Sequence, residues 1–250
     1  MLRFFLVFAG IAVTALSGNP KTAFADTNRF QVVDTDRAPW PAVGRLNVVG
    51  YDRIAMCTAT LIGPQTILTA AHCLFDGRTG KAHRLDKLRF VAGVRRDQNS
   101  GVSSVDCVRY PKGHTYIGTP KLKDTKLDVA VVRLSRPIEV TPAAVFSPSN
   151  TKQITRETRL QAAGYRRSRK FLPTLDANCR LDGVKDGVWV TTCATEKGAS
   201  GGPVFINVDN QLVVAGVLSA KLKQSRSIAV PFTKWSDMLP FDACPSSAAK

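Results

Sequence analysis

The sequence of 250 residues contains only three histidines, His72, His83 and His114, and none follows residue 114. It contains no Cys-x-x-Cys pair, and only His72 lies beside a cysteine. The common cysteine-based metal motifs are therefore missing, and we expect neither a metal nor a cofactor. The alternation of helical and strand patterns that marks an α/β protein is missing too.

Long apolar segments are also scarce. The apolar run Phe4 to Leu16 follows the positive residue Arg3 and precedes the small-x-small site Ala23-Phe24-Ala25, a pattern typical of a secretory signal peptide. The run is too short for a transmembrane helix, which needs about 18 to 20 apolar residues, and no later stretch approaches that length. We therefore expect residues 1–25 to be removed from a secreted or periplasmic protein with no membrane span.

Acidic residues are outnumbered by basic ones, 19 to 35, which gives a formal charge of +16. The charge becomes +14 when Arg3 and Lys21 leave with the signal peptide. Such a surface attracts polyanions, so a polyanionic contact is one expectation. The basic cluster Arg166 to Lys170 has no interleaved aromatic residues and no accompanying nucleic-acid motif, so we expect no specific nucleic-acid partner.

From residue 43 onward the chain consists of short runs rich in Val, Ile, Leu and Thr, separated by Gly, Pro or Asp. Two series of these runs, over about 43–140 and about 150–235, predict an all-β domain spanning 43–250. Helix is expected only near Ala70 to Leu74 and in a short C-terminal helix around Lys234 to Leu239.

The segment that follows the signal peptide, residues 26–42, has no clear periodicity and contains Pro39 and Pro41. It is typical of an extended N-terminal arm or a short pro-segment.

The six cysteines all follow the signal peptide, an even number that favours disulfides in an exported chain. Six cysteines allow 15 pairings. Proximity along the chain favours Cys57–Cys73 and Cys179–Cys193, which leaves Cys107–Cys244. Each short loop closed in this way would contribute about 3 kcal/mol.

The best candidate nucleophile is Ser200 in the segment Gly198-Ala199-Ser200-Gly201-Gly202-Pro203. Glycines on both sides allow tight turns and leave the hydroxyl and the adjacent amides open. The segment also matches the nucleophile elbow of α/β-hydrolases, whose histidine follows the serine. Since no histidine follows Ser200, that interpretation fails, and a glycine-rich turn before a strand is the structural alternative.

The candidate base is His72, which ends the second of two predicted strands in the segment Thr69-Ala70-Ala71-His72-Cys73. A Cys57–Cys73 disulfide would hold it in place. His83 and His114 lie in polar loops and are interpreted as surface residues. Asp128 opens an apolar strand, which suits a carboxylate that orients an imidazole, although an aspartate that caps the strand is the alternative.

TAAHC, the aspartate of DVAVVRL and GASGGP occur in this order and together resemble the trypsin and chymotrypsin family of serine proteases over Val43 to Leu239. The resemblance implies two antiparallel six-stranded β-barrels with the site at their junction, and a protein or peptide substrate. It implies that Ser200 attacks the carbonyl, that His72 acts as base and then acid, and that Asp128 holds the tautomer of His72. The amides of Gly198 and Ser200 would form the oxyanion hole.

Three positions depart from the family pattern. Ala199 stands where trypsins have an aspartate that pairs with a new amino terminus, so we expect an active conformation that does not depend on this ion pair. Cys193 lies seven residues before Ser200, where trypsins have a cysteine four residues before the serine. Lys221 replaces a glycine that is common at the cleft wall.

The resemblance places Lys197, Ser219, Ala220 and Lys221 in the substrate cleft, with Ser219 near the aspartate of the triad. The two lysines favour acidic substrate residues, as in the glutamyl endopeptidases that the chain resembles among bacterial members, yet Leu218 stands where those enzymes are expected to have a histidine. The alternative function is a catalytically weak protease-fold protein that binds polyanionic partners through its basic surface.

Overall fold

The computed structural model describes residues 29–49, 55–118, 121–147, 154–222 and 225–244. The predicted signal peptide lies outside the described residues. The strands within these ranges are β1 (Phe30–Val32), β2 (Val43–Val48), β3 (Ala55–Gly63), β4 (Thr66–Thr69), β5 (Leu88–Ala92), β6 (Gly101–Arg109), β7 (Ala130–Leu134), β8 (Ala144–Val145), β9 (Arg159–Arg166), β10 (Arg169–Lys185), β11 (Val188–Thr191), β12 (Pro203–Val208), β13 (Gln211–Lys221) and β14 (Ser227–Pro231). The protein is predominantly β, as the sequence predicts.

The first unit is a closed barrel of β2 to β7, in the order β2-β3-β4-β7-β6-β5, with every neighbouring pair antiparallel. Its strands are short and rich in β-branched and aliphatic residues, which fit a pleated surface that is buried on one side. Leu46, Leu61, Leu68, Phe90 and Leu134 are almost fully buried in its core. The prediction of a six-stranded barrel over the first half is confirmed.

The second unit is an eight-stranded sheet in the order β1-β10-β11-β14-β13-β12-β9, in which β9 also pairs with β10 and β8 pairs with β13. The prediction of a second six-stranded barrel is confirmed in part, because β10-β11-β14-β13-β12-β9 follow one another in antiparallel pairs and β9 pairs back to β10. The sheet also contains β1 and β8, two strands that the prediction did not include. The first of these is added at β10, whose 17 residues carry register shifts that bend the strand, so that it pairs with β9, β11 and β1 along its length.

The N-terminal arm contributes to this second unit. Phe30 to Val32 form β1, which pairs antiparallel with Thr174 to Asp176 of β10. A 3-10 turn at Trp40–Ala42 then leads the chain into β2 of the barrel. The arm thus connects the two units before the first barrel begins.

Helical structure in the described ranges is limited to one short α-helix, α1 (Leu122–Thr125), and to 3-10 turns at Trp40–Ala42, Ala71–Leu74, Leu85–Lys87, Phe232–Lys234 and Ser236–Met238. No helix among these is long and apolar enough to cross a membrane. The predicted C-terminal helix is wrong, because Trp235 leaves helical geometry, at φ −142° and ψ −4°, between the last two turns. Its fully buried ring packs edge-on against Phe232, with ring centroids 4.9 Å apart.

Three disulfides connect elements around the junction of the two units, and they join Cys57 to Cys73, Cys179 to Cys193 and Cys107 to Cys244. The first two are the pairs that sequence proximity favours, and the third is the pair that this choice leaves. The first disulfide ties β3 to the 3-10 turn that contains His72. The second ties β10 to the segment that precedes Ser200, and the third ties β6 to the C-terminal segment.

Candidate active site

His72 and Asp128 meet because β4 and β7 are neighbours in the barrel. Thr69 pairs with Ala130, so the histidine turn that follows β4 faces the residues that precede β7. The backbone N–H of His72 donates to Asp128 Oδ1 at 2.8 Å, and His72 Nδ1 donates to Oδ2 at 2.8 Å. This two-point contact fixes both the position and the tautomer of the imidazole.

The two groups shift each other's pKa in opposite directions. Burial disfavours the imidazolium, but the hydrogen bond and charge of Asp128 outweigh burial and raise the pKa of His72 above its ordinary value. Burial likewise disfavours the Asp128 carboxylate, but hydrogen bonds from His72 and Ser219 and the charge of His72 hold its pKa below the ordinary value. Asp128 therefore stays ionised at neutral pH, with the imidazole of His72 beside it.

Ser200 lies at the opposite side of the junction, in the turn that leads into β12. Gly198 and Gly201 both adopt positive φ, at 99° and 82°. A Cβ on Gly198 would lie 2.8 Å from the Tyr165 carbonyl oxygen, and one on Gly201 would overlap the Thr58 carbonyl oxygen. The glycines are therefore needed both for backbone conformation and for close packing.

Thr58 of the first barrel anchors this turn. Its backbone N–H donates to the Ser200 carbonyl at 2.8 Å, and its hydroxyl donates to the Gly198 carbonyl at 2.9 Å. The same hydroxyl oxygen accepts the backbone N–H of Tyr165 at 2.9 Å. One buried threonine thus holds the serine turn, a strand of the second unit and the barrel together.

The predicted oxyanion donors differ from their neighbours in the turn. The N–H groups of Ala199, Gly201 and Gly202 donate to the carbonyls of Glu196, Leu218 and Ala199, respectively. The N–H groups of Gly198 and Ser200 have no intramolecular acceptor among the described residues. Two open amides beside the Ser200 hydroxyl form an arrangement that can bind a negatively charged oxygen.

The hydroxyl of Ser200 donates to the Ser219 carbonyl at 3.4 Å rather than to His72. Hydrogen bonds between catalytic groups are often long without substrate and shorten when it binds. The Ser219 hydroxyl in turn donates to Asp128 Oδ2. Ser219 therefore contacts both halves of the site, in agreement with its predicted position near Asp128.

The predicted cleft residues line one cavity of about 210 Å³ with Ser200, formed by Thr195, Glu196, Lys197, Leu218, Ser219, Ala220 and Lys221. Glu196 brings a carboxylate into this wall, and hydrogen bonds from Ser168 and the charge of nearby Arg166 outweigh burial and lower its pKa. Because this carboxylate offsets the two lysines, the cavity is mixed in charge rather than basic.

A second cavity, of about 240 Å³, lies on the other side of His72. His114 lines it, and its ring stacks on Tyr110 with centroids 4.7 Å apart. Burial lowers the pKa of His114. The sequence interpretation of His114 as an ordinary surface residue therefore missed its position beside the candidate base.

An ion pair joins the N-terminal arm to the segment that precedes Ser200. Arg29 Nε donates to the carboxylate of the fully buried Asp176 at 2.8 Å, and a second Arg29 nitrogen donates to the Thr192 carbonyl. Asp176 also accepts the backbone N–H of Ala194 at 2.8 Å. Trypsins have at the position of Ala199 an aspartate that pairs with the new amino terminus. In this chain, Ala199 places a buried methyl group there instead.

Residues of metal-binding type cluster in two places among the described residues: Cys57, His72 and Cys73, and Asp106, Cys107 and Cys244. All four cysteines are in disulfides, so their sulfurs are not thiolates. Neither cluster has the thiolate donors that a cysteine-based metal site needs.

Sequence analysis missed Thr58, Arg29 and Asp176 as parts of the site. Thr58 follows Cys57 in an ordinary β pattern and carries no distinguishing signal. Asp176 interrupts the run of small and apolar residues around Leu175 and Ala177, and a charged residue at such a position was a signal that could have identified it.

Comparison with known proteins identifies the family. The family model described as Trypsin matches residues 31–239, which is most of the chain. A glutamyl endopeptidase from Bacillus licheniformis is 27% identical over 147 residues, which cover 58% of this chain and 42% of that protein. The chain thus aligns with less than half of that relative.

Two further relatives align over most of their length. Chymotrypsin-like elastase family member 1 of Felis catus is 26% identical over 88% of both chains, and that of Macaca fascicularis is 26% identical over 92% of this chain and 91% of its own. The solved structure of a Glu endopeptidase in complex with MPD superimposes with a TM-score of 0.66 at 19% identity, over 84% of this chain and 95% of that one. This likeness establishes the chymotrypsin-like fold, and with the family match it shows that the chain belongs to the trypsin family.

Proposed function

We propose that the protein is a serine endopeptidase in which Ser200 is the nucleophile, His72 the general base and Asp128 the residue that orients it. The observation that carries this proposal is the double contact of Asp128 with the backbone and ring of His72. A histidine that only fills space in a core needs no such contact, whereas a general base needs a fixed tautomer and a stabilised imidazolium.

The reaction follows from the positions of these groups. Ser200 Oγ attacks the peptide carbonyl while its proton passes to His72 Nε2, and Asp128 stabilises the imidazolium that forms. The carbonyl oxygen becomes an oxyanion held by the N–H groups of Gly198 and Ser200. His72 then gives the proton to the leaving amine, and water releases the acyl group by the same steps in reverse.

We infer that the enzyme acts outside the cytoplasm, either in a periplasm or beyond the cell. Three disulfides support this location, because such bonds persist in oxidising compartments. The signal peptide over residues 1–25 and the arm over residues 26–42 remain predictions from the sequence.

We do not propose that the Ser200 cavity prefers acidic side chains of the substrate. Glu196 offsets Lys197 and Lys221 there, and the buried Leu218 contributes an apolar wall. The relatives carry names of two different enzymes, a glutamyl endopeptidase and an elastase, and so favour neither preference.

Labelling with a fluorophosphonate tests the proposal and separates a protease from the polyanion-binding alternative. We expect the wild-type protein to become labelled at Ser200 and to cleave a peptide library, and we expect Ser200→Ala to do neither. A wild-type protein that neither labels nor cleaves at neutral pH would refute the proposal.

A further inference from the structure

A pocket of about 530 Å³ borders Gly198 and shares only Lys197 with the lining of the Ser200 cavity. Its described lining residues are Arg45, Ala55, Met56, Arg167, Lys170, Lys197 and Gly198. Four of these side chains are cationic and none is acidic. The pocket is therefore strongly basic, unlike the mixed cavity that contains Glu196.

Arg45 is the unusual member of this lining. It is only 8% exposed, its Nε is inaccessible and without a hydrogen-bond partner, and it forms no ion pair with any described residue. The ring of Phe171 lies 5.1 Å from its guanidinium carbon, and Lys170 Nζ lies 5.3 Å from the same ring. The aromatic ring thus holds two cations at the pocket without neutralising either.

A second buried arginine shows what a satisfied guanidinium looks like in this chain. Arg166 is also 8% exposed, but its Nε donates to Thr174 Oγ1 at 2.9 Å and it pairs with Glu196 at 3.7 Å. Because a buried charge is costly unless it is paired, the missing partner of Arg45 is the feature that needs a reason.

The position of Arg45 connects it to the reaction site. Arg45 on β2 pairs with Thr58 on β3, and Thr58 donates its hydroxyl to the Gly198 carbonyl. The pocket therefore starts at a predicted oxyanion donor, and its lining includes no residue of the strand segment Ser219 to Lys221. If the acyl part of a substrate lies along that strand, the part that follows the scissile bond enters this pocket.

We propose that this pocket binds a carboxylate of the substrate, the side chain of an aspartate or glutamate within the first three residues after the scissile bond. Three residues of extended chain span about 10 Å, which suits a pocket that begins beside the scissile carbonyl. The carboxylate supplies the partner that Arg45 lacks among the described residues. Since Nε is inaccessible, the two terminal guanidinium nitrogens would bind the carboxylate through two parallel hydrogen bonds. The proposal rests on the proposed protease function.

Quenched fluorescent peptides measure this preference directly. The acyl side is kept constant, and each of the three following positions carries Glu, Gln or Lys in turn. For at least one position we expect kcat/KM to be roughly tenfold or more higher for Glu than for Gln, and lower again for Lys. Increasing salt reduces the difference. Equal rates for Glu and Gln at all three positions would overturn the proposal.

Arg45→Met tests the residue itself, because methionine keeps an unbranched apolar chain against Phe171 while removing the charge. We expect the Glu-to-Gln ratio to fall close to one in Arg45→Met and to stay at the wild-type value in Arg159→Met, which removes an exposed charge on β9. The thermal midpoint of Arg45→Met should equal or exceed that of the wild type, since an unpaired buried charge is removed. An unchanged ratio in Arg45→Met would overturn the assignment.

Binding to the Ser200→Ala protein separates this inference from the proposed function. A fluorescein-labelled Glu peptide should bind roughly tenfold or more tightly than its Gln counterpart, whether or not the wild-type protein turns over substrate. A wild type that fails to label with fluorophosphonate would refute the protease alone. Equal binding of the two peptides, with displacement of both by a sulfated polysaccharide, would instead identify a general polyanion surface and refute the carboxylate pocket.

Discussion

The two halves of the candidate site are held in different ways. His72 and Asp128 are brought together by adjacent strands of one barrel and fixed by contacts with each other. The turn of Ser200 is held directly by Thr58 in the barrel. The segment that precedes this turn is held by Arg29 of the N-terminal arm, which bonds the Thr192 carbonyl and also Asp176, the acceptor of the Ala194 N–H. The geometry of the base is therefore local, whereas that of the nucleophile depends on distant residues.

The largest expected effect concerns the local half. Asp128→Asn should lower kcat by about 10⁴-fold, because the asparagine can hold His72 in the wrong tautomer and no longer stabilises the imidazolium. Steady-state kinetics on a peptide substrate measure the effect. Asp209→Asn, an isosteric change in the exposed turn between β12 and β13, is the control and should leave kcat unchanged. A loss below tenfold in Asp128→Asn would contradict the assigned role.

The next effect tests whether the nucleophile depends on the arm. Arg29→Met leaves the buried carboxylate of Asp176 unpaired and should lower the free energy of unfolding by about 3 kcal/mol. Because Asp176 also accepts the Ala194 N–H, the rate at which fluorophosphonate labels Ser200 should fall as well. Chemical denaturation and labelling kinetics measure the two quantities.

Arg37→Met is the matched control in the same arm. The Arg37 side chain is 84% exposed and lies 4.0 Å from Asp34, and such exposed pairs contribute about 0 to 1 kcal/mol. Equal losses of unfolding free energy and of Ser200 labelling rate in Arg29→Met and Arg37→Met would show that the nucleophile does not depend on the N-terminal arm.

A smaller effect compares two threonines on β3. Thr58→Val removes the hydroxyl that joins Gly198 and Tyr165, and it should cost about 1 to 3 kcal/mol of stability and slow Ser200 labelling. Thr60 is equally buried, but its hydroxyl has no hydrogen-bond partner in the described part of the chain, so Thr60→Val should be neutral or stabilising. Equal losses in both variants would show that packing, not the hydrogen bonds of Thr58, holds the turn.

The same contrast decides how far the sequence could predict the structure. The first barrel, the two short-loop disulfides and the meeting of His72 with Asp128 follow from signals in short segments: apolar strands, cysteines close in sequence and residues at strand ends. The Cys107–Cys244 disulfide, which spans 137 residues, followed only because these two cysteines were left over. The candidate nucleophile was identified by the glycines around it, which the turn requires for its positive φ angles.

Long-range contacts account for what the sequence could not predict. The pairing of β1 with β10 depends on a strand of three residues, which is too short to show the alternation of apolar and polar residues that predicts a strand. The buried position of Trp235 replaces the expected C-terminal helix with two 3-10 turns. Arg45 occupies an interior position of β2 without a hydrogen-bond partner among the described residues, and the role proposed for it depends on a pocket assembled from four separate segments.

The central claim is that His72, held by Asp128, activates Ser200, and the pH dependence of Ser200 labelling tests it most directly. The fluorophosphonate rate should be low when His72 is protonated and should rise with pH to a plateau. Since Asp128 raises the pKa of His72, the midpoint should lie above the ordinary value of about 6.5 for histidine. A rate that does not change between pH 5 and 9, or labelling that persists in Ser200→Ala, would contradict the account.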